Sequence, residues 1–430
     1  MPRFGFRGAP PEALPQLSLL GLACGLAAGA LMVVFRMTVE GAQALFLPGG
    51  NPENYEALGA AARLLLPLGG ALAVGALFQL LPPAAREVGP AHVIDALARG
   101  GGRLPLANAL AQWAGATLSI VAGHSVGREG PAIHLGAACG SLGGQRLGLP
   151  EGSLHVLVAC GVAAAIAASF NTPLAGVVFA MEVIVTEYSV AGFAPVILAA
   201  VGATTVSRLF YGADPAFQMP HLALRSLWEL PYILGVGVAV GVLAAAFTAS
   251  LRFFAARAAK LPFWAGAALG GAAVGLCALA APQVMGIGYD TVNEALLGRL
   301  ALGTLAAIAV LKLLATTAGV GLGLPGGLIG PMLVIGAAAG GALGIAGAAV
   351  APQYASTSGF YALVGMGAMM AGTLHAPLAA LTAMLELTGN PNIIWPGMLA
   401  AIAAFATSRE LFRQRPVFEA LLQARGRRSP

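Results

Sequence analysis

The stretch GREGPAIHLG at 127–136 sets a carboxylate, Glu129, beside a guanidinium, Arg128, just ahead of a proline and a run of small residues. Glycine-rich backbone running into Pro131 predicts a helix start, because a proline in the first turn lacks only an N–H that would have been idle. The first few N–H groups of such a helix have no partner inside it, and together they carry roughly half a positive charge. This is an anion site built of backbone. A carboxylate at its mouth stands where the anion would sit and acts as a tethered competitor, released by a proton or by the ion. The plainer reading, in which Glu129 pairs with Arg128 or caps its own helix, uses the same residues.

The motif occurs twice. GREGPAIHLGAACG (127–140) aligns without a gap to GLIGPMLVIGAAAG (327–340), with Gly127/Gly327, Gly130/Gly330, Pro131/Pro331 and Gly136/Gly336 identical at an offset of 200 positions. A second pair follows in the same order, FNTPLAGVVFAME (170–182) against LHAPLAALTAMLE (374–386), at an offset of 204. Duplicated halves with short, Gly/Pro-interrupted apolar segments are the sequence form of transporters with discontinuous helices. Two helix starts brought together by repeat symmetry hold an anion without a full positive charge to trap it, and weak multi-site binding lets it leave. Glu182 and Glu386, each nine residues after its repeat's proline, are expected to satisfy backbone groups at equivalent helix ends.

The elements that must position these motifs lie in a membrane. Charged residues make up 9% of the chain, hydrophobic residues 58%, and 60 of the 430 positions are glycine; mean hydropathy is +0.84. Ordinary soluble domains carry about a quarter charged residues. The run 17–35 is uncharged and mostly apolar, long enough at ~1.5 Å per residue to cross a hydrocarbon core roughly 30 Å thick. A cleaved signal peptide is the alternative for this run, and its continuation past Ala30 without a clear cleavage site speaks against it. The segments 132–147, 154–170 and 173–187 read as half-helices or re-entrant pieces, which membranes tolerate only where they are buried in protein or line a wet cavity. The fold expected is all-α, a polytopic membrane protein of two inverted repeats with many tilted, re-entrant and broken helices. Its expected divisions are a cytoplasmic segment (1–15), a first repeat (16–211), a connecting loop (212–227), a second repeat (228–425) and a basic tail (426–430), with no soluble regulatory domain after it.

The net charge of +5 does not indicate nucleic acid, since the basic residues lack interleaved aromatics and crowd both ends. That crowding places both termini in the cytoplasm, with an even number of complete crossings. Cys24, Cys139, Cys160 and Cys277 show no CxxC spacing, and the six histidines show no metal pairing. No metal site or cofactor is expected. His124 and His134 flank the first motif and stand as candidates for tuning Glu129. Lys312, inside AIAVLKLLATT, is expected to snorkel or pair. An intramembrane enzyme using Glu129 finds no nucleophile, metal set or second carboxylate at a workable spacing.

GREGP (127–131), FNTPLAG (170–176), PGGLIGP (325–331) and HAPLAAL (375–381), in this order, make the chain resemble the CLC chloride channels and chloride/proton antiporters over essentially its whole length. The resemblance implies a homodimer with one pore per subunit in a lipid bilayer, expected to be the bacterial inner membrane, with chloride as bound substrate. It matches Glu129 to the family's external gating glutamate, and Leu328 and Ile329 to positions whose backbone amides hold the central anion. Gly127, Arg128, Gly130, Gly330 and Gly89 complete the expected anion-binding set.

Three departures are as informative. Where the family's GSGIP segment aligns, the chain reads EVGPA, with Val88 in place of the serine; in RPVF, Phe418 stands for the central tyrosine. Losing two neutral hydrogen bonds, at a net ~0.5–1.5 kcal/mol each, weakens central binding and leaves the inner pathway to backbone amides and water. Val183 replaces the internal glutamate common in proton-coupled members, and valine relays no proton. Passive conduction and proton-coupled exchange both remain open. A fluoride exporter is a third reading, opposed by the intact GREGP and PGGLIGP motifs.

Overall fold

The computed structural model describes residues 14–186, 190–217 and 222–426. The expected N-terminal segment, His221 and the last basic residues of the tail lie wholly or mostly outside them. Among the described residues the chain is helical, with one isolated β-bridge. Helices dominate because each satisfies its own backbone where no water is available. Among the described residues, eight are long and apolar enough to cross a membrane.

In chain order the α-helices are α1 (Leu14–Phe46), α2 (Ala60–Leu80), α3 (Pro90–Arg99), α4 (Leu106–Val121), α5 (Glu129–Arg146), α6 (Glu151–Phe170), α7 (Pro173–Phe179) and α8 (Val190–Tyr211). A second set follows: α9 (Leu230–Ala258), α10 (Phe263–Ala280), α11 (Tyr289–Leu296), α12 (Leu302–Gly321), α13 (Ile329–Val350), α14 (Ser358–Leu374), α15 (Pro377–Thr388) and α16 (Ile394–Ala406). The sets repeat their packing. α5 lies on α6 as α13 lies on α14, and α1 on α8 as α9 on α16. The short α17 (Val417–Ala424) has no counterpart among the described residues and packs on α9 and α3.

Glycine permits the tightest of these contacts. A β-carbon on Gly136 or Gly161 would strike the carbonyl of the other across the α5–α6 contact, and Gly336 and Gly365 meet in the same way between α13 and α14. Such close backbone approach gives dispersion contact where lipid supplies no hydrophobic drive.

Two expected boundaries move. α6 starts at Glu151, directly after Pro150, and its 20 residues make it one of the eight long helices instead of a half-span. α5 starts at Glu129, not beyond Pro131, so the carboxylate belongs to the first turn. α7 is short, as expected, and widens after Phe179 into a π-helical turn over Ala180–Val185; Glu187 lies outside the described residues.

Candidate functional site

The two glycine motifs meet in the middle of the molecule. Gly127 N–H donates to the Gly327 carbonyl at 2.8 Å, and Gly327 N–H returns a bond to the Gly127 carbonyl at 2.7 Å. Equivalent residues thus pair antiparallel, as an inverted repeat requires. Only glycine allows it: a β-carbon on Gly130 would lie 2.7 Å from the α-carbon of Gly327. The intrahelical ladders begin at once, with Ala132 N–H on the Arg128 carbonyl at 2.9 Å and Met332 N–H on the Leu328 carbonyl at 3.0 Å. Two helix starts therefore face one cleft. A bond of 2.8 Å between the Ser125 and Thr316 hydroxyls ties the loop ahead of α5 to α12.

Glu129 fills that cleft and is fully buried. Gly330 N–H, at the start of α13, donates to its Oε2 at 3.1 Å, and the Tyr289 hydroxyl donates to its Oε1. The acid of one repeat is held by the helix start of the other. Arg128, expected among the anion ligands, turns elsewhere. Its Nη1 lies 3.5 Å from Glu40 Oε1 and its Nη2 donates to the Ser169 carbonyl at 3.4 Å, while its guanidinium sits 5.4 Å from the Tyr289 ring centroid. Glu40 also pairs with Arg36 at 2.5 Å.

Tyr289 was not singled out from the sequence. It opens α11 directly after Gly288, whose φ of 86° needs glycine, and its ring is framed by Phe170 and Phe217 at 6.1 and 5.6 Å. Gly89, also at φ 86°, opens α3 at the corresponding place in the first repeat. The pairing of Gly89 with Gly288 was the available signal.

Lys312 neither snorkels nor pairs. Fully buried, it donates from Nζ to the carbonyls of Val284 at 3.2 Å and Gly286 at 3.0 Å, because the turn before Tyr289 presents those carbonyls inward, within reach of α12. The same turn is held by Gly286 N–H on the Gly123 carbonyl at 3.1 Å. Nearby, Glu53 is half-buried in the loop after α1, among the charges of Arg128, Asp290, Lys312 and Glu129; burial pushes its carboxyl up to about 7 against the pull of Arg128. Nothing in its local sequence announced it.

A cavity of about 610 Å³ is lined by Val88, Gly89, Gln112, Leu328 and Phe418. Four sequence-predicted positions from three separate segments therefore share one wall. A second cavity of about 510 Å³ is lined by Glu182, Val183, His375 and, again, Phe418. Ile329 lines neither and is buried beside Phe170 and Leu333.

Glu182 and Glu386 cap helices reciprocally. Glu182 accepts from Leu378 and Ala379 N–H at 3.3 and 2.6 Å, at the start of α15; Glu386 accepts from Leu174 and Ala175 N–H at 3.0 and 2.7 Å, at the start of α7. Each serves the other repeat. His124 and His134 do not meet Glu129: one lies 2.8 Å from the Pro67 carbonyl and the other 2.9 Å from His92 Nδ1, because these rings turn toward α2 and α3.

The sequence pattern of the family described as voltage gated chloride channel matches residues 69–409. A putative chloride channel protein ClcB-like of Ralstonia nicotianae is 36% identical over 354 residues, covering 81% of this chain and 82% of its own. A voltage-gated ClC-type chloride channel ClcB of Citrobacter koseri is 32% identical over 358 residues, covering 81% and 84%. Among solved structures, a slow cyanobacterial Cl⁻/H⁺ antiporter superposes with a TM-score of 0.82 at 24% identity, over 95% of this chain and 97% of that one. A CLC-type fluoride/proton antiporter superposes at 0.78 and 23%, over 92% and 96%. At these identities the structural likeness concerns the fold.

Proposed function

The chain belongs to the voltage-gated chloride channel family, which it matches over residues 69–409, and from that premise we propose that it carries small inorganic anions, chloride foremost, through a pathway gated by Glu129. The observation that carries the reading is the Glu129 carboxylate seated on the Gly330 N–H, inside a cleft faced by two helix starts. A site that binds one carboxylate through a backbone N–H at a helix start is suited to a halide of the same charge once that carboxylate leaves. The pathway runs from this cleft past Leu328 to the cavity walled by Val88, Gly89 and Phe418. There the side chains offer no hydroxyl at the two departed positions, and the ion depends on backbone and water.

Passive conduction is the reading we favour. Val183 puts an apolar group in the wall of the second cavity, and the relatives at 36% and 32% identity bear channel names. Proton-coupled exchange is the second reading, favoured by Glu182 and His375 in that same wall. The resemblance adds a homodimer with one pore per subunit in the plasma membrane, and the basic residues at both ends favour cytoplasmic termini.

Liposomes holding a chloride gradient test the transport claim. Purified protein is expected to release chloride, and no release at any pH would end the reading. In a planar bilayer with opposed chloride and proton gradients, a reversal potential at the chloride Nernst value means a channel; a shift with pH means exchange. Fluoride efflux faster than chloride efflux would move the protein to a fluoride exporter.

A further inference from the structure

We propose that Tyr289 is a positioning residue for transport, its hydroxyl latching the ionised Glu129 carboxylate in the shared cleft and so setting how readily a proton or an anion displaces it. The inference rests on the gating role proposed for Glu129. Of the two groups bonded to that carboxylate, the Gly330 N–H belongs to the anion cradle itself, whereas the phenol comes from α11, outside both glycine motifs. It is a removable addition to the backbone site.

The surroundings fix the phenol where it is. The Phe170 and Phe217 rings frame it, Arg128 lies over its face, and the buried Lys312 ammonium holds the turn that delivers it. A hydroxyl on such a mount loses little freedom in making its bond. Donation to a carboxylate favours the ionised form and opposes the protonated one. Breaking this bond is therefore part of what any displacement of the carboxylate from the cradle requires. The other charges facing this corner are Arg128, Glu53, Asp290 and Lys312, with Glu40 behind Arg128; neither His124 nor His134 is bonded to it.

The experiment is chloride efflux from liposomes between pH 4.5 and 8 for the parent, Tyr289→Phe, Glu129→Gln and the double variant. Tyr289→Phe keeps the ring and its packing and removes only the donor. Its acid-activation midpoint is expected to rise by about one pH unit, the scale of one hydrogen bond to a charged group, with efflux at pH 7.5 up about tenfold. In the Glu129→Gln background the same replacement should change nothing. Fluorotyrosine at 289, a stronger donor of nearly the same shape, should move the midpoint down. An unchanged pH profile in Tyr289→Phe overturns the latch, as does an equal change with and without Glu129, which would mean that Tyr289 acts on the ion path directly. If Glu129→Gln itself leaves the pH dependence intact, the gating role of Glu129 fails and the latch fails with it. If no variant and no parent passes chloride, the transport reading is at fault.

Discussion

The two repeats build the same backbone and put different side chains on it. In α5 the second residue after the paired glycine is Glu129; in α13 it is Ile329. One projects a carboxylate into the cleft between the repeats, and the other buries a hydrocarbon against Phe170 and Leu333. By contrast, Glu182 and Glu386 remain alike and cap each other's repeats. The backbone cradle and the caps are architecture, and duplication preserves them. A single residue in one copy, Glu129, supplies the acid to which the gating role is proposed.

This comparison is sharpened first at the unlike pair. Glu129→Gln is expected to raise chloride efflux at pH 7.5 by at least about tenfold and to flatten its pH dependence, since a neutral amide competes weakly for a site that favours negative charge. Ile329→Gln should leave the pH dependence in place. If both variants changed it alike, the asymmetry between repeats would be lost.

At the like pairs the outcome should be symmetric. Gly161→Ala and Gly365→Ala each drive a methyl into a facing backbone, at a cost of about 1–3 kcal/mol or more. Thermal unfolding in detergent should show both falling by similar amounts. Removing Glu182 or Glu386 as alanine leaves one exposed and one partly buried N–H without its cap, about 1 kcal/mol in each case. A large loss from one and none from the other would mean that only one of the two is a cap.

The smallest expected effect belongs to Glu53, which has no counterpart in the comparison. With its carboxyl pushed up to about 7, it is largely neutral at pH 6 and ionised by pH 8, so a negative charge appears near Glu129 as pH rises through 7. Anion entry should slow over that window. Glu53→Gln should raise efflux at pH 8 by about twofold and leave efflux at pH 5.5 unchanged.

The sequence was most informative where the physics is local and duplicated. Helix starts close to Pro131 and Pro331 follow from glycine, proline and a run of small residues, and the repeat told where two such starts would meet. Val88, Leu328 and Phe418 line one cavity, and only the resemblance to a known family picked these positions out of distant segments. Tyr289 escaped because its hydroxyl reaches Glu129 across 160 residues of chain, and only the turn held by Lys312 brings it there. Lys312 was misread for a related reason. In sequence it looks like a stranded cation, and the carbonyls that satisfy it belong to another element. Arg128 was expected among the anion ligands, yet as the residue before the helix it turns away, and its guanidinium lies against Glu40.

The most direct test of the shared cleft is a structure of Glu129→Gln grown or soaked in bromide, with anomalous scattering used to place the ion. A peak within hydrogen-bond distance of the Gly330 amide, between residues 127–130 and 327–330, is the predicted result. Bromide ordered elsewhere in the molecule, with the cleft empty, would contradict the account.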